Sequence, residues 1–520
     1  MTSVAKAHSV SAHNRIKLSL TLSSDTARRL AKTRLLKGLR KGRAKHRRLV
    51  RTYFDTPRYV LRKSGIALYV QTVGKHHMQT VKAPFQGPPG LHSYTEWTVS
   101  IDGKQPDLNH FQDFDLSPHL TKRHRRRRFR AVFTTEIDRK IYKLKTRDAV
   151  IELSIDRGTI QPTRNNGNRA ESICEVGFEL LSGDAARLLD VALSVCENFD
   201  VGLIHSSNED RGYAMASPAL QPRPTKAKKL SLDPDMTAGA AFLQIATATL
   251  EHLYANEVST LKGRPTAIHQ TRVAMRRLRA ALRAFKKLLP YHQRKAFNSE
   301  FRWFQQRLAS ARDWHVFLDE TLPLIKASQH TDAILIEQLQ RLAHKQRRLA
   351  TREAIAQLES RRYARLILQF KKWLVKLETE IPEHTFNQPI APFAQRVLRK
   401  TRQDLVVEPR SLAHLPAENL HGLRKQGKKA RYATEFFSSL WSGPDVHPYL
   451  KLMEGLQNRF GEANDAAVAR QILWSVPPGR LDIKLVRLVQ GWSQQRVKGR
   501  TSAAQPYWRR FRGADPFWKN

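Results

Sequence analysis

HQTRVAMRRLRAALRAF at residues 269–285 returns, altered but in frame, as HGLRKQGKKARYATEFF at residues 421–437. The shared pattern is His269-x2-Arg272-x3-Arg276-Arg277-x-Arg279 against His421-x2-Arg424-x3-Lys428-Lys429-x-Arg431, an offset of 152 residues. The same offset carries Arg312-Asp313 onto Asn464-Asp465 and Ala241 onto Phe393, near the starts of two helical runs. Chance accounts for one basic motif in so basic a chain. It does not account for three separated points in one register, so a helical unit of roughly 140–150 residues is duplicated.

Helix geometry gives the repeat a purpose. At about 100° per residue, His269, Arg272, Arg276, Arg279 and Arg283 fall within an arc of about 80°. Met275, Leu278, Leu282, Phe285 and Leu289 form a separate apolar arc that faces a core. His421, Arg424, Lys428 and Arg431 repeat the basic arc, while Arg277 and Lys429 lie outside it. Neighbouring cations on one helix face stand about 5–6 Å apart, and no acid interrupts the arc within either motif. A solvated helix face ordinarily mixes signs to gain i,i+4 pairs. An unmixed stripe headed by His in both copies points instead to an anionic ligand. Arg suits phosphate because its planar fork donates two hydrogen bonds, and Lys serves as a point charge. A charging His would strengthen such binding as pH falls. No carboxylate pair or nucleophile stands beside the stripe, which favours binding over chemistry.

The whole chain shares the bias. Lys and Arg number 91 against 46 Asp and Glu in 520 residues, a formal net charge of +45. Self-repulsion of that size opposes compaction, and solubility is met by far less charge, so a polyanionic partner is expected. The length calls for more than one domain. Cys174 and Cys196, the only cysteines, build neither a disulfide framework nor a cysteine-rich zinc site, and read as buried thiols in a reducing cytoplasm. There is no signal-peptide core and no apolar run long enough to span a bilayer. Walker, dinucleotide-binding, His-Glu-x-x-His and Gly-x-Ser-x-Gly motifs are missing, and no cofactor is expected. Oligomeric state is left open.

Residues 1–13 are expected to be disordered, 14–216 to form a strand-rich domain, 217–236 a Pro/Lys-rich linker and 237–520 a helical domain. Within the last, one repeat spans about 240–385, a second about 390–480, and an unassigned tail about 481–520. In the first domain Ile16, Leu18, Leu20 and Leu22 alternate with Lys17, Ser19 and Thr21, the signature of a half-buried strand. Similar runs lie at Ile66–Thr72, Met78–Lys82, Tyr94–Ile101, Val132–Ile137, Val150–Ile155 and Ile173–Leu180, with helices at Thr26–Leu39 and Asp184–Cys196. Evenly spaced strands with few helices predict a closed or nearly closed antiparallel barrel. The fold class is therefore α+β with two domains: an N-terminal antiparallel β-barrel and a C-terminal all-α duplicated helical bundle. The run Lys122–Arg128 reads equally as an electrostatic patch for a polyanion and as a solvated loop. Phe301, Trp303, Phe304 and Trp314 at helical spacing read as core rather than base-stacking platforms.

The segments at 269–285, 308–318, 420–437 and 460–469, in that order, resemble the CHAD family of conserved-histidine α-helical domains. The resemblance covers about residues 237–475. It implies two helical bundles related by a pseudo-twofold, a basic groove between them, and inorganic polyphosphate as ligand, often in cytoplasmic granules. Carried over by position, the binding residues are His269, Arg272, Arg276, Arg279, His421, Arg424, Lys428 and Arg431. YFDTPRYVLRKSGIAL (53–68), QTVKAP (79–84), VIELSIDRGTI (150–160), ICEVGFELLSGD (173–184) and EDRGYAM (209–215) resemble the CYTH domain, a triphosphate-tunnel barrel. Hydrolytic members open on Glu-x-Glu-x-Lys, whose carboxylates hold a divalent metal. Here that strand reads Arg15-Ile16-Lys17-Leu18-Ser19. Oxygen ligands have become cations, which repel the ion that Mg²⁺ or Mn²⁺ chemistry needs. Tyr69, Gln71, Thr98, Gly177 and Asn208 also depart from the family pattern, whereas Lys82, Glu96, Arg139, Glu152, Glu175 and Arg211 match it. The resemblance thus implies a catalytically degenerate tunnel whose surviving charges pair with one another. The readings that compete with polyphosphate binding are a metal-dependent triphosphatase in the barrel half and a nucleic-acid-binding architectural protein.

Overall fold

The computed structural model describes residues 11–85, 87–111, 129–163, 170–327, 333–406, 412, 417–474 and 482–519. The chain divides into two compact units, Met1–Pro222 with Glu359–Lys376, and Arg223–Leu358 with Leu377–Asn520.

The first unit is a barrel of β1 (Ser11–Leu22), β2 (Lys45–Asp55), β3 (Ala67–Val73), β4 (His76–Pro84), β5 (His92–Ile101), β6 (Arg130–Lys145), β7 (Ala149–Pro162) and β8 (Glu171–Gly183). Neighbours follow the order β5-β4-β3-β2-β6-β7-β8-β1, and β1 pairs back onto β5 to close the ring. A short β9 (Val201–Leu203) extends the far end of β1. Closure removes the unpaired edges that would otherwise invite aggregation. Around the strands lie α1 (Ser24–Lys32), α2 (Arg34–Leu39), α3 (Ala185–Asn198) and α4 (Asn208–Ala216). Strand alternation sorts the residues: Leu18 and Leu20 are buried on one face of β1, and Lys17 and Ser19 take the other. β2 is missing from the sequence reading because Lys45, Arg47, Arg48 and Arg51 mask its period of two. Cys196 is buried as expected, whereas Cys174 is only half-buried.

The second unit contains α5 (Ala238–Leu261), α6 (Pro265–Ala284), α7 (Tyr291–Arg307), α8 (Ala309–Val316) and α9 (Ala333–Leu358). The following helix α10 (Arg361–Glu380) belongs, through Lys376, with the barrel unit. Then come α11 (Ile390–Val406), α12 (Ala417–Phe437), α13 (Val446–Trp474) and α14 (Ile483–Gly513). The offset of the sequence repeat maps Ala238, which opens α5, onto Ile390, which opens α11, and Pro265, which opens α6, onto Ala417, which opens α12. Where Leu308 separates α7 from α8, its counterpart Phe460 lies inside the continuous α13. The duplication extends further than the sequence suggested. The stretch left as an unassigned tail forms α14, the counterpart of α9, which packs along α13 and buries Leu485, Val489, Ala504, Trp508 and Phe511. Pro506 sits inside it.

The two copies share one core. Phe285 stacks on Phe393 at 4.9 Å between centroids and meets its own counterpart Phe437 at 5.6 Å. The Pro/Lys-rich segment, which includes a short 3-10 turn at Pro218–Leu220, is tied down on α5. Thr225 N–H donates to Asn256 Oδ1 at 3.0 Å, and Asn256 Nδ2 donates back to the Thr225 carbonyl at 3.0 Å. Phe301, Phe304 and Trp314 are buried, while Trp303 is half-buried with Arg307 over its ring at 5.0 Å. Among the described residues no helix is long and apolar enough to cross a membrane.

Candidate functional site

The basic faces of α6 and α12 do not form two separate sites. Arg272 lies in the electrostatic field of its counterpart Arg424, Lys428 in that of Arg276, and Asp313 in that of Asp465. Each pair is related by the same offset, so a pseudo-twofold axis runs through the cluster and the copies build one composite site.

The conserved spacing of the second motif now has a mechanical role. Arg272 Nη1 donates to the Leu308 carbonyl at 3.2 Å and lies 3.8 Å from Asp313. Across the axis, Arg424 Nη1 donates to Asn464 Oδ1 at 2.7 Å. Asp313 and Asn464 therefore orient the two arginines. Arg312, which entered the sequence reading only as a register mark, belongs to the cluster through its field at His269. Its Nη2 donates to Glu320 at 3.3 Å. Arg272, Arg276, Arg312, Arg424 and Lys428 thus outnumber Asp313 and Asp465. Burial and like-charged neighbours make this surplus costly. Burial, with Arg276, Arg424 and Arg272 nearby, holds the Lys428 ammonium down at about 6. The same causes, burial first, hold Arg272 at about 10 and His269 at about 3.

His269 is neutral in the free protein throughout the physiological range. His421 lies on α12, and its side chain is outside the described residues.

Further along the stripe the symmetry breaks. Arg279 is held by Asn298 at 3.3 Å and Gln305 at 2.8 Å. The counterpart of Arg283 is Glu435, which accepts from Arg431 at 2.6 Å and from Arg277 at 2.7 Å. The acid-free arc is thus confined to its His-headed half. Arg431 is engaged in an ion pair, and Arg277, correctly placed outside the arc, is a buried partner of the same carboxylate.

In the barrel, cross-strand register puts Arg15, Lys17, Glu96, Glu152, Asp156, Glu175 and Glu179 on one face, the interior. Arg15 bridges Glu179 at 2.5 Å and Glu96 at 3.6 Å. Lys82 pairs with Glu209 at 2.9 Å, Arg139 with Asp156 at 2.6 Å, and Arg211 with Glu175 at 3.2 Å. Asp156, Glu179 and Glu209 were not singled out from sequence, because only the strand register reveals them. Burial raises Glu175 to about 7 despite Arg211. Glu152 stands opposite Glu179 without an ion-pair partner among the described residues. Ser154 Oγ and Lys17 Cε lie 2.7 and 3.4 Å from where a Cβ on Gly177 would stand, so these two side chains occupy the space beside the glycine. These residues do not suit a divalent ion: cations occupy the first strand, and Arg15 engages two of the carboxylates. Among the described residues no group of three His, Cys, Asp or Glu side chains converges to share one. The Lys122–Arg128 run lies outside the described residues.

The CYTH domain profile matches residues 16–213 and the CHAD domain profile residues 244–474. The chain is a CYTH–CHAD protein. The chain is similar to the inorganic triphosphatase of Haemophilus influenzae, 25% identical over 170 residues. That alignment covers 32% of this chain and 45% of the relative, so the chain spans under half the length of the relative it matches. Among solved structures, the CHAD domain from Ricinus communis aligns at 28% identity with a TM-score of 0.48, covering 55% of this chain and 96% of that one. PptA from Streptomyces chartreusis aligns at 18% identity and a TM-score of 0.38, covering 52% and 99%.

Proposed function

We propose that the CHAD domain binds inorganic polyphosphate at the composite site, in the cytoplasm and in association with polyphosphate granules. The CYTH domain then serves as a non-catalytic companion. One observation carries the reading: cations from both copies are gathered, partly buried, around a pseudo-twofold axis with too few acids to neutralise them. A chain of phosphates relieves that repulsion and accepts the paired donors of Arg272 and Arg424. Competition binding by the full chain, with polyphosphate against duplex DNA and RNA at several salt concentrations, tests it. Every polyanion loses affinity with salt through counterion release, so preference and not affinity decides. Selective polyphosphate binding lost in Arg272→Glu with Arg424→Glu supports the reading. Equal binding by that variant overturns it, and preference for RNA or DNA favours a nucleic-acid-binding protein instead.

The similarity of the chain to an inorganic triphosphatase favours a second reading, metal-dependent triphosphate hydrolysis in the CYTH domain. Phosphate release from tripolyphosphate with added Mg²⁺ or Mn²⁺ that disappears in Glu152→Ala would establish it. The cations Arg15 and Lys17 speak against it.

A further inference from the structure

Beside the composite site, the helical unit has a solvent-open cavity of about 510 Å³ at the turn between α5 and α6, walled by α8 and α9, with Lys262, Arg348 and Arg352 exposed at its rim. Lys262, Arg347, Arg348 and Arg352 line it, and no acidic residue does. Among the described residues Lys262, Arg348 and Arg352 have no carboxylate partner, while Arg347 stands 3.8 Å from Asp319. α6 starts at this cavity with Arg264 as N-cap, and no side chain caps it. Its first-turn amides therefore lack an intrahelical acceptor and bring the positive end of the helix dipole. Gly263, at φ 69°, holds the turn tight: a Cβ there would come 3.2 Å from Thr351 Cγ2. His315, only 4% exposed, also lines the cavity. Its Nε2 meets Thr351 Oγ1 at 3.4 Å, and its Nδ1 has no hydrogen-bond partner among the described residues.

We propose that this cavity is a second phosphate-binding subsite, which takes phosphoryl groups of the same polyanion beyond the stretch held at the composite site. The proposal rests on the polyphosphate reading above. Two observations connect the sites. Arg312 lies in electrostatic range of His269 on one side and His315 on the other. Along α6 the cavity at Pro265 lies about 10 Å from Arg272 and about 16 Å from Arg276, so a chain reaching from Arg276 into the cavity is longer than a tripolyphosphate. The second copy carries Ala467 and Ala504 at the positions of His315 and Arg352, so it does not repeat these two lining residues. The composite site holds a chain, and the cavity selects for length on one side.

The experiment uses the full chain with long polyphosphate and with tripolyphosphate as probes. Arg348→Glu with Arg352→Glu is compared with the charge-matched control Arg509→Glu with Arg510→Glu, two exposed α14 residues. The expected result is about a tenfold or greater loss of affinity for the long chain in the cavity variant, the scale of two charge-assisted contacts. Tripolyphosphate affinity and the control stay within about twofold of wild type, since distant exposed charges are largely screened at physiological salt. Equal losses in the control and the cavity variant, or no loss in either, overturn the subsite and leave the composite site standing. Failure of wild type to bind long polyphosphate overturns both.

Discussion

Binding of polyphosphate should take up a proton, and Lys428 is the group that receives it. In the free protein burial and three arginines hold this ammonium at about 6 instead of its ordinary 10.5. At pH 7.5 only about 3% of it is charged. A polyanion beside it favours the charged form, so the bound state holds close to one more proton than the free state. The sign follows from linkage: affinity falls as pH rises above 6, by up to about tenfold per unit, until the pH reaches the pKa of the bound state. Between pH 6.5 and 8.5 the change amounts to about 100-fold, or about 2.7 kcal/mol. Below pH 6 the dependence fades. Isothermal titration at fixed ionic strength, in two buffers of different ionisation enthalpy, counts the protons directly. Long chains are used so that terminal phosphates are few. Lys428→Met removes the titrating group and should remove the uptake. Zero uptake by wild type, or undiminished uptake in Lys428→Met, refutes the reasoning.

Two further outcomes concern stability. Arg277, 7% exposed, donates to Glu435 at 2.7 Å and lies 5.1 Å over Phe436. Arg277→Ala should cost about 2–4 kcal/mol, somewhat under a fully broken buried pair because Glu435 keeps Arg431, and an unchanged urea midpoint would contradict this. In the barrel, a Cβ on Gly212 would stand 2.3 Å from the Phe133 ring, so Gly212→Ala should cost about 1–3 kcal/mol through overpacking. Circular dichroism melting checks it, and a melt as stable as wild type would show that the ring gives way freely.

The duplication was legible because one offset joins motifs that lie far apart, and that offset alone identifies the helix faces. The same comparison, extended by one step, exposes Glu435 opposite Arg283 and with it the end of the acid-free arc. What the arc could not reveal is that the copies share a single site, since that depends on how α6 and α12 meet. Arg312 was hidden in plain view, because it lies off the stripe and enters through α8. β2 was obscured by cations at positions where polar alternation is normally read, and α14 by Pro506. In the barrel, the reversal of charge at Arg15 and Lys17 was visible in five residues. The partners that absorb it, Glu179 and Asp156, become visible only when strand register fixes which side chains face inward.

The pseudo-twofold axis has a consequence for ligand choice. A polyphosphate chain reads the same from either end, so its two halves offer identical oxygens to α6 and α12. A nucleic-acid strand has polarity, and running antiparallel past the axis it presents different faces to the two helices. Under the proposed function, a site built on paired residues suits a polymer that binds in either sense.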